Sequence, residues 1–360
     1  MQGTTGTVPA VTEPLLEGAP NPRGKVQLGK GILLLLISAL GFSTMSCLAS
    51  VVSRWFSSSE IMFTRCLMQL IFSYFVCCGA GISPLPSRKE ADNLLGWVIL
   101  RGIFGALSNW ILYYSLSQLP LADSSSLFFT QPMFTLILAP LVINERIAPR
   151  QVLAVLVAVC GVFFIARPTW LFGASSAATT AIMHNVDAQI PRWLAIVVCL
   201  SGSFIASLVF ITVTHIGKRA HWAQLVFSFA AFGTVVATIP LYFQWSPLRM
   251  PSSPWPFVML FLLGCCALLG QSTFNHGMQL CQSAVTSSLV RQTDLVFAFL
   301  YQALFLNHPL TWYTLTGGSF VLCGALVDAV PKLVTELKSR GYIGNAGAGR
   351  KAECSIFNRS

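Results

Sequence analysis

The chain has 360 residues, of which 54% are hydrophobic and only 9% charged, with a mean hydropathy of +0.70 and a net charge of +10. A soluble domain carries about 25% charged residues, so water is excluded as the solvent for most of this surface and a lipid bilayer takes its place. The positive residues fall in short loops and tails rather than on one face, which argues against nucleic acid as a partner.

Residues 1–30 are polar, rich in Pro, Gly and Thr, and read as a disordered N-tail without a signal-peptide core. Ten apolar segments follow, at 31–52, 59–78, 94–117, 121–142, 149–166, 192–215, 222–244, 256–281, 283–305 and 311–330. Most meet the requirement of about 20 apolar residues per crossing. The tight connections at 117–121 and 281–283 predict antiparallel helix hairpins. A loop over 167–191 separates a first unit, 31–166, from a second, 192–330, and residues 331–360 form a basic C-tail. With the N-terminus in the cytosol, 15 Lys and Arg residues lie on the cytosolic side, 4 on the other, and 3 inside spans. That asymmetry predicts that both termini are cytosolic, which leaves the acceptor pattern Asn358-Arg359-Ser360 unused. The eleven cysteines are scattered, nearly all within or beside apolar spans and without a CxxC pair, so neither a disulfide framework nor a zinc site is indicated.

Several spans carry polar residues at helical spacing. The second has Arg65, Gln69 and Ser73; the third has Arg101, Ser108 and Asn109; the eighth has Gln271, Asn275, Gln279 and Gln282. The ninth carries Arg291 and Asp294 near its middle, with Ser287, Ser288, Tyr301 and Gln302 on the same face. An ionisable residue at that depth costs roughly 2.5–3.5 kcal/mol on insertion scales, so it faces a bundle interior or an aqueous cavity. If the stripes converge, three arginines and one aspartate leave the cavity a formal +2. Arginine stays charged and offers a planar fork to carboxylate or phosphate, so such a cavity suits an anion. Each arginine also has a structural reading. Arg65 pairs with Glu60 or a carbonyl, Arg101 snorkels to the interface, and Arg291 is neutralised by Asp294. Glu145 and Asp123, near span ends, read as caps or loop anchors, and His276 and His308 as packing or interfacial residues. Asp294 is poorly suited to carry a coupling proton, because Arg291 favours its charged form.

The chain repeats itself. Residues 109–144 shifted by 162 positions lie on 271–306, bringing Asn109 onto Gln271, Ser125 onto Ser287, Ser126 onto Ser288 and Leu138 onto Leu300. After a one-residue slip, Ile147 falls on Leu310, Cys160 on Cys323 and Gly161 on Gly324. Units of five spans each, an odd number, must be inserted with opposite orientation, a plan frequent among secondary transporters.

Particular segments carry a resemblance. They are Glu60-Ile-Met-Phe-Thr-Arg65-Cys66, Leu100-Arg101-Gly102, Tyr113-Tyr114, Leu121-Ala122-Asp123, Pro132-Met-Phe-Thr, Glu145 and Ala166-Arg167-Pro168 in the first unit. In the second they are Asp294-Leu-Val-Phe-Ala-Phe and Pro309-Leu-Thr-Trp312. In their order and spacing, across about residues 30–330, they resemble the drug/metabolite transporter superfamily of EamA type, and within it the G subgroup of solute carrier family 35. Two departures from the general pattern, Asp294 where the first unit has Pro132 and Asn307-His308 where it has Glu145, agree with that subgroup. The resemblance implies an all-α membrane protein of ten transmembrane helices, two inverted five-helix repeats around a central cavity. It also implies peripheral fifth and tenth spans that serve packing or homodimer contacts, where Gly317 and Gly324 would permit close approach.

No His/Cys cluster, GxSxG elbow or Gly-rich phosphate loop appears, so an enzyme, a cofactor and a metal are not expected. The expectation is a secondary transporter moving a small organic anion, a carboxylate metabolite or a nucleotide-linked solute, by alternating access. Its substrate-binding residues are Arg65, Gln69, Arg101, Asn109, Gln271, Asn275, Arg291 and Asp294. The competing class is a non-transporting regulatory or scaffold membrane protein. Plasma membrane, endoplasmic reticulum and Golgi all fit the tails.

Overall fold

A computed structural model describes residues 28–86, 93–119, 124, 127–166, 191–242, 253–305 and 312–339. Residues 1–27 and 340–360, most of the 167–191 loop, Asp123, Ser125, Ser126, Asn307, His308 and the Gln302 side chain lie outside them. The described chain is helical: α1 Leu28–Val52, α2 Ser58–Gly79, α3 Leu94–Gln118, α4 Gln131–Ile143, α5 Pro149–Ala166 and α6 Arg192–Ile216. After a short 3-10 turn come α7 Trp222–Tyr242, α8 Trp255–Cys281, α9 Ala284–Arg291, α10 Thr293–Phe305 and α11 Trp312–Ser339. Among the described residues, seven helices are long and apolar enough to cross a membrane alone, and α4 and α5 are shorter apolar helices. With α9 and α10 forming one interrupted span, the fold is ten transmembrane helices in two inverted five-helix repeats.

Large apolar side chains such as Phe75, Leu141, Phe261 and Trp312 stand exposed around the bundle, a surface that only acyl chains cover without cost. The N-terminus of α2 is set by a capping box: the Ser57 N–H donates to Glu60 Oε2 at 2.6 Å and the Glu60 N–H to Ser57 Oγ at 3.3 Å.

The packing carries the symmetry of the duplication. Helix α1 packs on α8 as α6 packs on α3, and α1 packs on α9 and α10 as α6 packs on α4. The pairs α2–α7 and α5–α11 join each helix to its own repeat mate. At α5–α11 the correspondence is atomic. A Cβ on Gly161 would lie 2.6 Å from the Gly317 carbonyl oxygen, and one on Gly324 would lie 2.6 Å from that of Ala154. Gly161 and Gly324 are mates, and in that register so are Ala154 and Gly317, so these are one contact seen from both halves. Gly317 and Gly324 thus serve close helix packing within the monomer.

Besides the fourth span, described below, two spans differ from their expected outlines. The ninth is not one helix over 283–305 but breaks at Gln292. The tenth does not stop at residue 330, because α11 runs through Pro331 to Ser339. A proline inside a helix removes one backbone hydrogen bond without ending the helix where surrounding packing holds it.

Candidate functional site: three arginines around two broken spans

The fourth and ninth spans are interrupted at matching positions. In the fourth, residues 127–128 are helical, 129–130 form a turn, and α4 starts at Gln131. Pro132 has no N–H for the Phe128 carbonyl, which instead accepts from Ser203 Oγ at 2.9 Å. In the ninth, the Val290 carbonyl, released by the break, accepts from Thr293 Oγ1 at 2.7 Å. The breaks face one another: Gln292 Nε2 donates to the Phe129 carbonyl at 2.7 Å. Discontinuous helices meeting between inverted repeats are where transporters of this build place their solute.

Arg291 ends α9 and Asp294 lies in the first turn of α10. A cation at a helix C-terminus and an anion at an N-terminus both suit the backbone dipoles. Arg291 Nη1 lies 2.5 Å from Asp294 Oδ2. Its guanidinium stands 4.3 Å from the Phe42 ring centroid and 5.9 Å from that of Phe274. The Ser43 hydroxyl reaches Asp294 Oδ1 and lies 2.8 Å from the Asp294 carbonyl oxygen. The expected pair therefore forms, across a break rather than along a helix face, and much of the charge of Arg291 is met by Asp294.

Arg101 is buried, 1% exposed, and does not snorkel to the interface. Its Nη2 donates to Asn275 Oδ1 at 3.1 Å and its guanidinium lies 5.5 Å from the Phe229 ring centroid. Gly105, one turn on, leaves room for Nη1, which a Cβ there would strike. Nε and Nη1 have no hydrogen-bond partner among the described residues. Asn275 is itself oriented by donating from Nδ2 to the Gln271 carbonyl at 3.0 Å.

Arg65 is 5% exposed. Its Nη1 approaches Met45 Sδ at 3.4 Å, a weak acceptor, and its guanidinium lies 5.8 Å from the Tyr113 ring centroid. Nε and Nη2 have no partner among the described residues, and neither has Gln69 Oε1, one turn along α2.

The α1–α8 pair joins these groups. Arg291 touches Phe42 and Phe274, Arg101 touches Asn275, and Arg65 touches Met45. Gln271 is buried one turn from Asn275, and Asn109 is half-buried on α3, about two turns beyond Arg101. Gln279 and Gln282 stand apart. Gln279 Nε2 donates to the Ala220 carbonyl at 2.9 Å, and Gln282 is the left-handed C-cap of α8.

Ser43, Phe42, Met45, Phe229 and Phe274 line this region without having stood out in the sequence, where apolar residues and a lone serine are the ordinary content of a span. Glu145 is an anchor, reaching into the other half: its carboxylate accepts from Ser283 Oγ at 2.5 Å and from the Ala284 N–H at 3.0 Å, capping α9. Asp328, fully buried, accepts from Thr286 Oγ1 at 2.6 Å and from Lys332 Nζ at 3.0 Å. An i,i+4 acid–base pair at the end of an apolar run was the available signal for it. His276 packs edge-on to Trp222.

An interrupted ten-helix bundle with an inner charged site defines an integral multi-pass membrane protein built as a solute carrier. The model of the EamA-like transporter family matches residues 29–167 and again 191–327, and the chain belongs to that family. It is 28% identical over 303 residues to the pseudopaline exporter CntI of Pseudomonas aeruginosa, spanning 83% of this chain and 95% of the exporter. It is 26% identical over 309 residues to human solute carrier family 35 member G1, spanning 84% of this chain and 80% of that protein. A solved crystal structure superposes with a TM-score of 0.64 at 15% identity over 86% of this chain and 99% of its own, which shows the shared fold.

Proposed function

We propose that this membrane transporter moves a small organic anion, a carboxylate metabolite or a nucleotide-linked solute, by alternating access of its two inverted halves. The observation that carries the reading is that Arg65 and Arg101 are buried with guanidinium N–H groups unpartnered among the described residues. A buried cation without a counter-charge is costly, and an anionic solute supplies the missing acceptors. Arg65, Arg101 and Arg291 bind the anion, and Asp294 holds Arg291 in place. Gln69, Asn109, Gln271 and Asn275 supply neutral polar contacts. The exporter among the relatives supports solute movement over a scaffold role. The charge distribution of the loops supports cytosolic termini in a plasma, endoplasmic reticulum or Golgi membrane.

Uptake by purified protein in liposomes tests the reading. Arg65→Gln and Arg291→Gln are each expected to cut anion uptake strongly with membrane abundance largely kept. Wild-type uptake in both variants removes the anion site. Tags at residues 5 and 355 should both need permeabilisation for detection on the plasma membrane.

A further inference from the structure

The three arginines are not equivalent in charge. Arg291 has a carboxylate at 2.5 Å and an aromatic ring beneath its guanidinium, so its charge is largely met before any solute arrives. Arg65 and Arg101 have no such partner: the first meets a thioether, the neighbouring Cys66 thiol and a phenol ring, the second an amide oxygen and a phenyl ring. Each keeps two unpartnered nitrogens, Nε and Nη2 on Arg65 and Nε and Nη1 on Arg101. Their helices meet α7 at different heights. Arg101 lies against Phe229 of α7, whereas Cys66, beside Arg65, lies against Gly233. Those two α7 positions are one turn apart, about 6 Å along the bundle.

From this we infer that the solute carries two separate acidic groups, one held by Arg65 and the other by Arg101, and that Arg291 contributes position and aromatic packing rather than net charge. The inference rests on the anion reading above. Two unmet positive charges call for two negative ones, because a monoanion leaves one buried guanidinium stranded. A single carboxylate carries one negative charge and so offsets only one arginine. The neutral amides at Gln69 and Asn275, beside the two arginines, add no charge that would change this count.

The test uses the purified full chain and thermal-stabilisation titrations with three- to six-carbon linear dicarboxylates, each with its monomethyl and dimethyl ester. The best dicarboxylate is expected to bind about tenfold or more tightly than its monoester. That preference should collapse in Arg65→Gln and in Arg101→Gln. It should survive in Arg65→Lys and Arg101→Lys, which keep the charge, and in the double variant Arg291→Gln with Asp294→Asn. The lysine variants and the wild-type ester series keep the test decisive if a glutamine variant does not fold. Equal binding of dicarboxylate and monoester overturns the two-group inference and leaves the anion reading standing. Equal binding of dicarboxylate and dimethyl ester overturns both. If none of the dicarboxylates binds while a phosphate monoester does, the two-group inference falls and the anion reading holds.

Discussion

In the fourth span the chain breaks at Phe129–Thr130 and resumes with Gln131 and Pro132; in the ninth it breaks at Gln292 and resumes with Thr293 and Asp294. In the repeat register Phe129 is the mate of Arg291 and Pro132 the mate of Asp294. The two spans share a geometry and differ in chemistry. The first half opens its helix with a proline and puts an aromatic ring at the gap. The second puts an ion pair there, tied to α1 through Ser43 and Phe42. The two halves share the scaffold and its central breaks, and only the second carries the charge.

The strongest way to break this comparison is to remove one member of the pair. Asp294→Asn leaves Arg291 without its carboxylate and is expected to cost about 3–5 kcal/mol, seen as lost monodisperse yield and lost uptake. Arg291→Gln together with Asp294→Asn strands no charge, so yield should recover while uptake does not. A sharper version copies the first half: Arg291→Phe with Asp294→Pro. Position 294 lies in the first turn of α10, where proline is tolerated, so this variant is expected to fold and not transport. A double or copied variant that transports as wild type does would show that the charges are not the solute's contacts. The site would then have to lie around Arg65 and Arg101 alone.

How far the sequence revealed this site follows from what periodicity reports. Arg291 and Asp294 stood out because charges are rare inside apolar runs, and the ten spans because length and apolarity alone mark a crossing. The break at Gln292 left no such mark. No proline or glycine stands there, and the group that reaches Asp294 is Ser43, 251 positions away. The burial of Arg101 was equally hidden: it lies about two turns into α3, where an arginine can reach an interface, and its contacts with Asn275 and Phe229 of the other half draw it inward. Glu145 was legible as an anchor from its place after a span, but its target, the N-terminus of α9, was not.

Glu145 offers the next smaller test. It ties the loop after the fourth span to the start of the ninth, while the second half has Asn307-His308 at the corresponding place. Glu145→Gln keeps an acceptor and removes the charge at the helix N-terminus. The expected loss is about 1 kcal/mol, read as a lower unfolding midpoint in detergent, with transport reduced less than in the pair variants. Loss of all uptake at unchanged stability would assign Glu145 a part in the transport cycle instead of a cap.

A difference between two single hydrogen bonds separates the two breaks through their serines. Ser203 donates to the Phe128 carbonyl, a neutral acceptor freed by Pro132, with Thr130 Oγ1 3.3 Å away. Ser203→Ala is expected to cost about 1 kcal/mol, the net worth of a neutral hydrogen bond. Ser43 reaches a carboxylate, and a hydrogen bond to a charged group is worth about 1.5–3 kcal/mol, so Ser43→Ala should lower the unfolding midpoint further. The functional contrast is the sharper one. Ser43 helps fix the carboxylate that fixes Arg291, so its loss should weaken anion uptake. Ser203 touches only backbone and another hydroxyl at an uncharged gap, so its loss should leave the apparent affinity for solute where it was. If both alanine variants lower solute affinity equally, the shape of the paired breaks governs binding. If only Ser43→Ala does, the ion pair that distinguishes the ninth span from the fourth is what positions the solute.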